Sequence, residues 1–287
     1  MLEYKYMENL HIFICHYNPL TERKKYILDE LNIKIGNLLI KELECEFDSN
    51  VKEYKYEGFD ENKTINYVYF VRKYDREHLN KEIKDRMFLS CHDNKNNIRL
   101  EYLSVNNYQS NPVTYENFKS KYKHSLCERG RKPAEESLAL KHYEAIRLIA
   151  NMDISFGLII EDDCKLTDKF KEKLDSKMKE FPENWDIYFP NSCPNPGFRT
   201  KGGMTQINNT RKIYIKNHPS SVFGVSYLVS KTSAKRLCDE IETNKLWLAI
   251  DHEFNWLFYK LQFNVIWNWE SPRLTFWGES GFKSSLL

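Results

Sequence analysis

Apolar residues gather in short runs along the chain, and the spacing inside each run predicts a strand or a helix. Leu10 to Cys15 reads as a first strand, broken by His16-Tyr17-Asn18-Pro19. With Asn18 as N-cap and Pro19 in the first helical position, a helix is expected through about Asn32, with Leu20, Ile27, Leu28 and Leu31 as its apolar stripe. Asn66 to Val71 alternates like a strand, Arg76 to Met87 reads as a charged surface helix, and Asp93 to Asn97 as a polar turn. Residues 36 to 124 carry little other signal. Pro133 opens a helix over Ala134 to Asn151 whose stripe is Leu138, Ala145, Ile146 and Ile149, with His142 on the same side.

The pattern then tightens into Phe156-Gly157-Leu158-Ile159-Ile160-Glu161-Asp162-Asp163-Cys164. Leu158 to Ile160 is too short for a helix and reads as a buried strand, with Gly157 marking the turn before it. Asp168 to Phe181 is expected as an amphipathic helix stopped by Pro182, Trp185 to Phe189 as a strand, and Pro190 to Gly203 as a loop of the kind that forms a binding mouth. Lys212 to Lys216 and Val222 to Val229 read as strands, and Ser230 or Thr232 caps a helix through about Thr243. A last helix begins at Asp251-His252-Glu253 and turns Phe254, Leu257, Phe258 and Leu261 inward, before a final strand at Asn264 to Trp269. Strands alternating with helices make the class α/β, with a Rossmann-like opening of strand, tight turn and helix but no Gly-rich dinucleotide fingerprint. No repeat or low-complexity linker divides the 287 residues.

Composition narrows the partners. Lys plus Arg is 43 against 41 for Asp plus Glu, a net charge of +2, so no field points to nucleic acid or an acidic membrane. Tyr 18, Phe 17 and Trp 6 supply aromatic faces that either fill the core or stack on sugar rings and bases. The seven cysteines, Cys15, Cys45, Cys91, Cys127, Cys164, Cys193 and Cys238, are odd in number and lack paired short spacings, which argues against a disulfide framework and a structural zinc site. With no signal peptide and no run of membrane-spanning length, the chain reads as cytoplasmic with reduced thiols.

The chemistry centres on Glu161-Asp162-Asp163. A buried strand delivers these acids to the carboxyl edge of a sheet, where ligands of open α/β folds sit. They form either a solvated acidic turn or a site for Mg²⁺ or Mn²⁺, which takes one or two carboxylates and fills its shell with water and substrate phosphates. Glu161 and Asp163, with one residue between them, leave an extended segment on one face. Tyr17 either packs or stacks on a base, and Arg23 is either solvated or reaches a phosphate. His142 is either a core histidine or a ligand, and Asp251 either an N-cap carboxylate or a group aimed at the site. The basic run Lys119, Lys121, Lys123, Arg129, Arg131 and Lys132 is either a solvated loop or a cover for a diphosphate.

Four ordered segments resemble glycosyltransferase family 25, the group of bacterial lipopolysaccharide and collagen galactosyltransferases. They are Glu136-Ser137-Leu138-Ala139-Leu140-Lys141-His142; Leu158-Ile159-Ile160-Glu161-Asp162-Asp163; Gly224-Val225-Ser226-Tyr227-Leu228-Val229-Ser230 with Ala234 and Leu237; and Ile250-Asp251-His252 with Ser271-Pro272 and Ser284-Ser285-Leu286. The likeness covers residues 125 to 287 well and Leu10 to Leu31 loosely; the family's Gly-Cys is Ser137-Leu138 here, and its Ser before His is Lys141. The resemblance implies one GT-A glycosyltransferase domain over residues 1–287, with a nucleotide-binding half at 1–124 and a metal and acceptor half at 125–287. It further implies a UDP-sugar donor bound with Mn²⁺ or Mg²⁺ and a glycan or hydroxylysine-type acceptor. Glu161, Asp163 and His252 would hold the metal, and Tyr17, Asn18, Arg23, His142, Glu161 and Asp162 would line the donor site. Asp251, then Glu253, would act as base in an inverting transfer of galactose or glucose. The alternatives are a carbohydrate-binding protein on a transferase fold that has lost catalysis, and a Mg²⁺-dependent phosphohydrolase using the same acids, for which no nucleophile motif stands out.

Overall fold

The computed structural model describes residues 9–43, 51–90, 131–191, 204–208, 213–216, 226–268 and 273–276. Its strands are β1 (His11–Cys15), β2 (Leu38–Leu43), β3 (Lys52–Lys55), β4 (Asn66–Val71), β5 (Phe156–Glu161), β6 (Lys165–Leu166), β7 (Ile187–Phe189), β8 (Met204–Asn208), β9 (Ile213–Lys216), β10 (Ser226–Ser230), β11 (Val265–Asn268) and β12 (Thr275–Phe276). The helices are α1 (Thr21–Lys34), α2 (Lys81–Met87), α3 (Pro133–Asn151), α4 (Phe170–Met178), α5 (Lys231–Asn244) and α6 (Ile250–Lys260). Among the described residues, no helix is long and apolar enough to cross a membrane.

Ten strands form one mixed, mostly parallel sheet in the order β3-β2-β4-β1-β5-β10-β7-β11-β9-β8. The central β2, β4, β1 and β5 are parallel neighbours, β10 runs against β5 and β7, and β7 and β11 are parallel again. Side chains alternate between the faces, and both faces are covered, so the central strands read as unbroken apolar runs. On one face Ile12, Ile14, Val68, Phe70, Leu158 and Ile160 meet α1 and α4. On the other, Phe13, Tyr69, Ile159, Tyr227 and Phe189 meet α3, α5 and α6.

Several local expectations are corrected. Asn18 does not cap α1: Leu20 N–H closes a turn onto Tyr17 O at 2.9 Å, Asn18 N–H is drawn to Asp75 Oδ2 at 3.3 Å, and the helix starts at Thr21. Arg76 to Met87 is not one helix but a 3₁₀ turn at Arg76–His78 followed by α2. Asn80 divides them, its Oδ1 accepting from Ile83 N–H at 2.9 Å. Gly157 lies inside β5 rather than in a turn before it. Helix α3 is buried on most of its circumference instead of along one stripe, and Leu138 is only half-buried. The helix expected at Asp168 to Phe181 is shorter, beginning after Lys169 in the left-handed region at φ 55°. The helix at Asp251 starts one residue earlier, at Ile250. Ser230 caps α5 as expected, accepting from Ser233 N–H at 3.2 Å.

Strands β2, β3, β6, β8 and β12 were not legible. The turn at Asp93 to Asn97, Lys119, Lys121, Lys123 and Arg129 of the basic run, most of the Pro190 to Gly203 loop, Ser271-Pro272 and Ser284 to Leu286 lie outside the described residues. So do Cys45, Cys91, Cys127 and Cys193, while Cys15, Cys164 and Cys238 are buried and free.

Candidate functional site

The carboxyl ends of three parallel strands meet in register: Cys15 of β1 lies between Val71 of β4 and Glu161 of β5. From β1 the chain departs toward β2, and from β5 toward β7 on the opposite side, which makes the gap between them a topological switch point. A small cleft opens there with about 30 Å³ of room, bordered by Cys15, Tyr17, Arg76, Lys141, Glu161 and Asp162.

Glu161 ends β5, and the chain then turns, with Cys164 N–H donating to Glu161 O at 3.2 Å. The three acids are therefore not on an extended segment, and the expectation that Glu161 and Asp163 share a face through strand alternation does not hold. The turn separates their roles. Asp162 is buried with both oxygens engaged, Oδ2 by His16 Nδ1 at 2.8 Å and Oδ1 by Arg23 Nη1 at 2.9 Å. Asp163 is buried beside it, with Oδ2 3.6 Å from Arg23 Nη1 and Oδ1 without a hydrogen-bond partner. Burial first, then the charges of Glu161 and Asp162, raise the Asp163 pKa to about 6 against the pull of Arg23. Glu161 stays partly exposed, its Oε1 3.7 Å from His142 Nε2.

Each expected donor-site residue has a definite place. Arg23 is not solvated: it is buried on the inner stripe of α1, and its Nη1 donates to Asp162 Oδ1 at 2.9 Å. Tyr17 is half-buried, its hydroxyl donating to Glu77 and the Arg76 guanidinium carbon lying 4.0 Å over its ring. His142 is fully buried, with Nδ1 2.9 Å from the Tyr227 hydroxyl and Phe254 edge-on at 6.1 Å. Burial opposes charge on that ring, but the Cys15 sulfur and Glu161 outweigh it and raise the His142 pKa. Behind the cleft, Lys141 Nζ donates to Val71 O at 3.3 Å, Arg72 O at 3.1 Å, Lys73 O at 3.1 Å and Asp75 Oδ1 at 2.6 Å.

The first turn of α6 follows Ala249 as N-cap, so Asp251 is not the cap. Phe254 of this helix packs on His142 and Tyr227, and Asp251 sits one turn earlier on the same side. Glu253 is fully buried, its Oε2 accepting from Trp247 N–H at 3.1 Å and Leu248 N–H at 2.8 Å. Arg131, the described part of the basic run with Lys132, is tied down: Nη1 donates to Trp247 O at 2.9 Å. The side chain of His252 lies outside the described set. Beyond Asp163, β6 pairs with β12, and Thr275 Oγ1 is 2.6 Å from Ser226 Oγ.

Sequence reasoning missed His16, Asp75, Arg76 and the supporting role of Lys141. The one available signal was position: His16 directly follows the apolar run of β1, as Glu161 ends that of β5. Among the described residues, no group of three or more His, Cys, Asp or Glu side chains is arranged to hold a metal ion.

No protein-family model matches the chain, and no curated protein matches it. Among solved structures, the crystal structure of mouse xyloside xylosyltransferase 1 in its apo form matches over 88% of this chain and 82% of that chain, with 10% sequence identity and a TM-score of 0.31. The resemblance to glycosyltransferase family 25 thus rests on the four ordered sequence motifs.

Proposed function

We propose that the chain is a metal-dependent glycosyltransferase that moves galactose or glucose from a UDP-sugar to a hydroxyl of a glycan or hydroxylysine-type acceptor, with inversion, on a single GT-A-like domain in the cytoplasm. The observation that carries the reading is Asp163 Oδ1, a buried carboxylate oxygen without a partner at the end of a central parallel strand, beside the partly exposed Glu161. A hard divalent cation fits such a place: one or two carboxylates suffice when water and phosphate oxygens complete the shell. Asp163 and Glu161 would hold it, with His252 as the further candidate. The ion, when bound, supplies charge neutralisation for the departing diphosphate.

The chain's own groups do the rest. Asp162, clamped by His16 and Arg23, fixes the turn from which Asp163 projects. His142, anchored on Tyr227, lies 3.7 Å from Glu161, with Nε2 toward its Oε1. Tyr17 and Asn18 border the donor from the β1 side. Asp251 takes the acceptor hydroxyl proton while that oxygen bonds to the anomeric carbon and the bond from carbon to diphosphate breaks, the electron pair leaving with UDP. Glu253 is the weaker candidate for base, because two backbone N–H groups already occupy its Oε2.

Thermal melting with UDP and a panel of UDP-sugars, each with Mn²⁺ or with chelator, tests this. A ligand at a hundredfold over its Kd adds about 2.7 kcal/mol of stability. A Mn²⁺-dependent shift that disappears in Asp163→Ala is expected. The engagement of both Asp162 oxygens favours, as second reading, a carbohydrate-binding protein without catalysis. No shift with any nucleotide would select it.

A further inference from the structure

The cleft is bordered by the acids Glu161 and Asp162, and its cationic partner for a ligand follows from which basic groups are still available. Lys141 borders the cleft, but its ammonium is buried and directed at four oxygens, three carbonyls and the Asp75 carboxylate. Arg23, the cation expected from sequence to meet a phosphate, is turned onto Asp162 from behind. Arg76 differs from both. Its side chain keeps 33% of its exposure, and its ion pair with Glu77 is long, at 3.6 Å from Nε, with a partner 52% exposed. Such a pair contributes little and leaves the guanidinium donors for a ligand.

Arg76 is also held in place. Its guanidinium carbon lies 4.0 Å over the Tyr17 ring, whose hydroxyl is fixed by Glu77. The preceding residue, Asp75, accepts from Lys141 Nζ on Oδ1 at 2.6 Å and from Asn18 N–H on Oδ2 at 3.3 Å. One buried carboxylate therefore staples the loop leaving β4 to the loop leaving β1, with helix α3 as the backing. A planar fork on a pre-set loop matches a phosphate, because it presents paired N–H donors with little ordering left to do.

We infer that Arg76, a partly exposed residue that borders this cleft together with Glu161, is the phosphate-gripping residue for the diphosphate of a nucleoside diphosphate. The inference rests on the glycosyltransferase reading and adds to it the residue that reads the diphosphate. A diphosphate carrying a divalent cation needs acids on the side of the ion and a base on the other, and Glu161 and Arg76 border the same cleft.

The test is calorimetric titration of UDP in Mn²⁺ into the wild-type chain and into Arg76→Gln and Arg76→Met. The second variant keeps an apolar stem over Tyr17, and melting curves confirm that both fold. Loss of one charge-assisted phosphate contact predicts a UDP Kd weaker by about 10- to 100-fold in both variants. Wild-type binding with both folded variants within about threefold of it overturns the role of Arg76 and leaves the glycosyltransferase reading intact. A wild-type chain that binds no UDP in Mn²⁺ overturns both.

Discussion

Gly157 sets how closely β5 lies against α3. A Cβ there would stand 2.6 Å from Ile149 Cδ1 and 2.8 Å from Phe13 Cε2, both belonging to fully buried side chains with nowhere to retreat. Overpacking of this kind costs about 1–3 kcal/mol, so Gly157→Ala is expected to lower the urea midpoint without changing the slope. An unchanged midpoint would show that the contact can relax. Gly157 reads as a turn in the sequence because its reason, close packing on Ile149 of α3 and Phe13 of β1, leaves no mark in the residues beside it. Arg23 is similar: its spacing from Ile27, Leu28 and Leu31 places it on the buried stripe of α1, but its partner is 139 positions away. Of the acidic triplet, the position was legible and the division of labour was not. That one carboxylate is clamped, one buried without a partner on Oδ1 and one partly open depends on a turn that alternation along a strand cannot foresee.

Elements were most legible where burial is on both sides. β1, β4 and β5 announced themselves because both faces of the sheet are covered, and α3 because Pro133 and its length leave little choice. The extensive burial of α3 was hidden by its charges, which are neutralised from other elements, Glu136 by Lys84 at 2.9 Å and Lys141 by Asp75 at 2.6 Å, or within the helix, Glu144 by Arg147 at 2.8 Å. Short pieces such as β3 and β6 are defined by pairing rather than pattern, and so were missed. Helix α6 shows how two acids in one turn serve different ends. Glu253 organises the segment entering the helix through two backbone N–H groups, whereas Asp251 follows the cap without being it. Glu253→Gln preserves shape but removes charge from both bonds, and should cost about 1–3 kcal/mol in chemical denaturation while UDP binding survives. Equal stability of the variant would mean that the charge of Glu253 contributes nothing to the entry of α6.

The whole molecule joins strands from both halves of the chain in one sheet, and the candidate site lies where β4, β1 and β5 end together. That geometry concentrates carboxylates in a buried turn, and the fold bears the consequence. The Asp163 pKa of about 6 lies above the unfolded value of 3.8, so the native state prefers the protonated acid. The stability contributed by that preference is complete below about pH 4 and is lost as the pH rises through about 6. Above that, the metal-free protein carries a buried charge whose cost is on the order of 1–3 kcal/mol. Asparagine at the same position keeps the shape without the charge. Metal-free Asp163→Asn should therefore be more stable than the wild type at pH 7.5 by about that amount, and the gap should close toward pH 4. The difference between the two proteins isolates this group from every other titration in the chain. Mn²⁺ at pH 7.5 should invert the order, stabilising the wild type and leaving the variant where it was, because the charge that burdens the empty turn is the charge a cation requires. A variant no more stable than the wild type at pH 7.5, or a gap that stays constant from pH 7.5 to 4, would remove the buried charge of Asp163 as the feature that fits this turn to a metal.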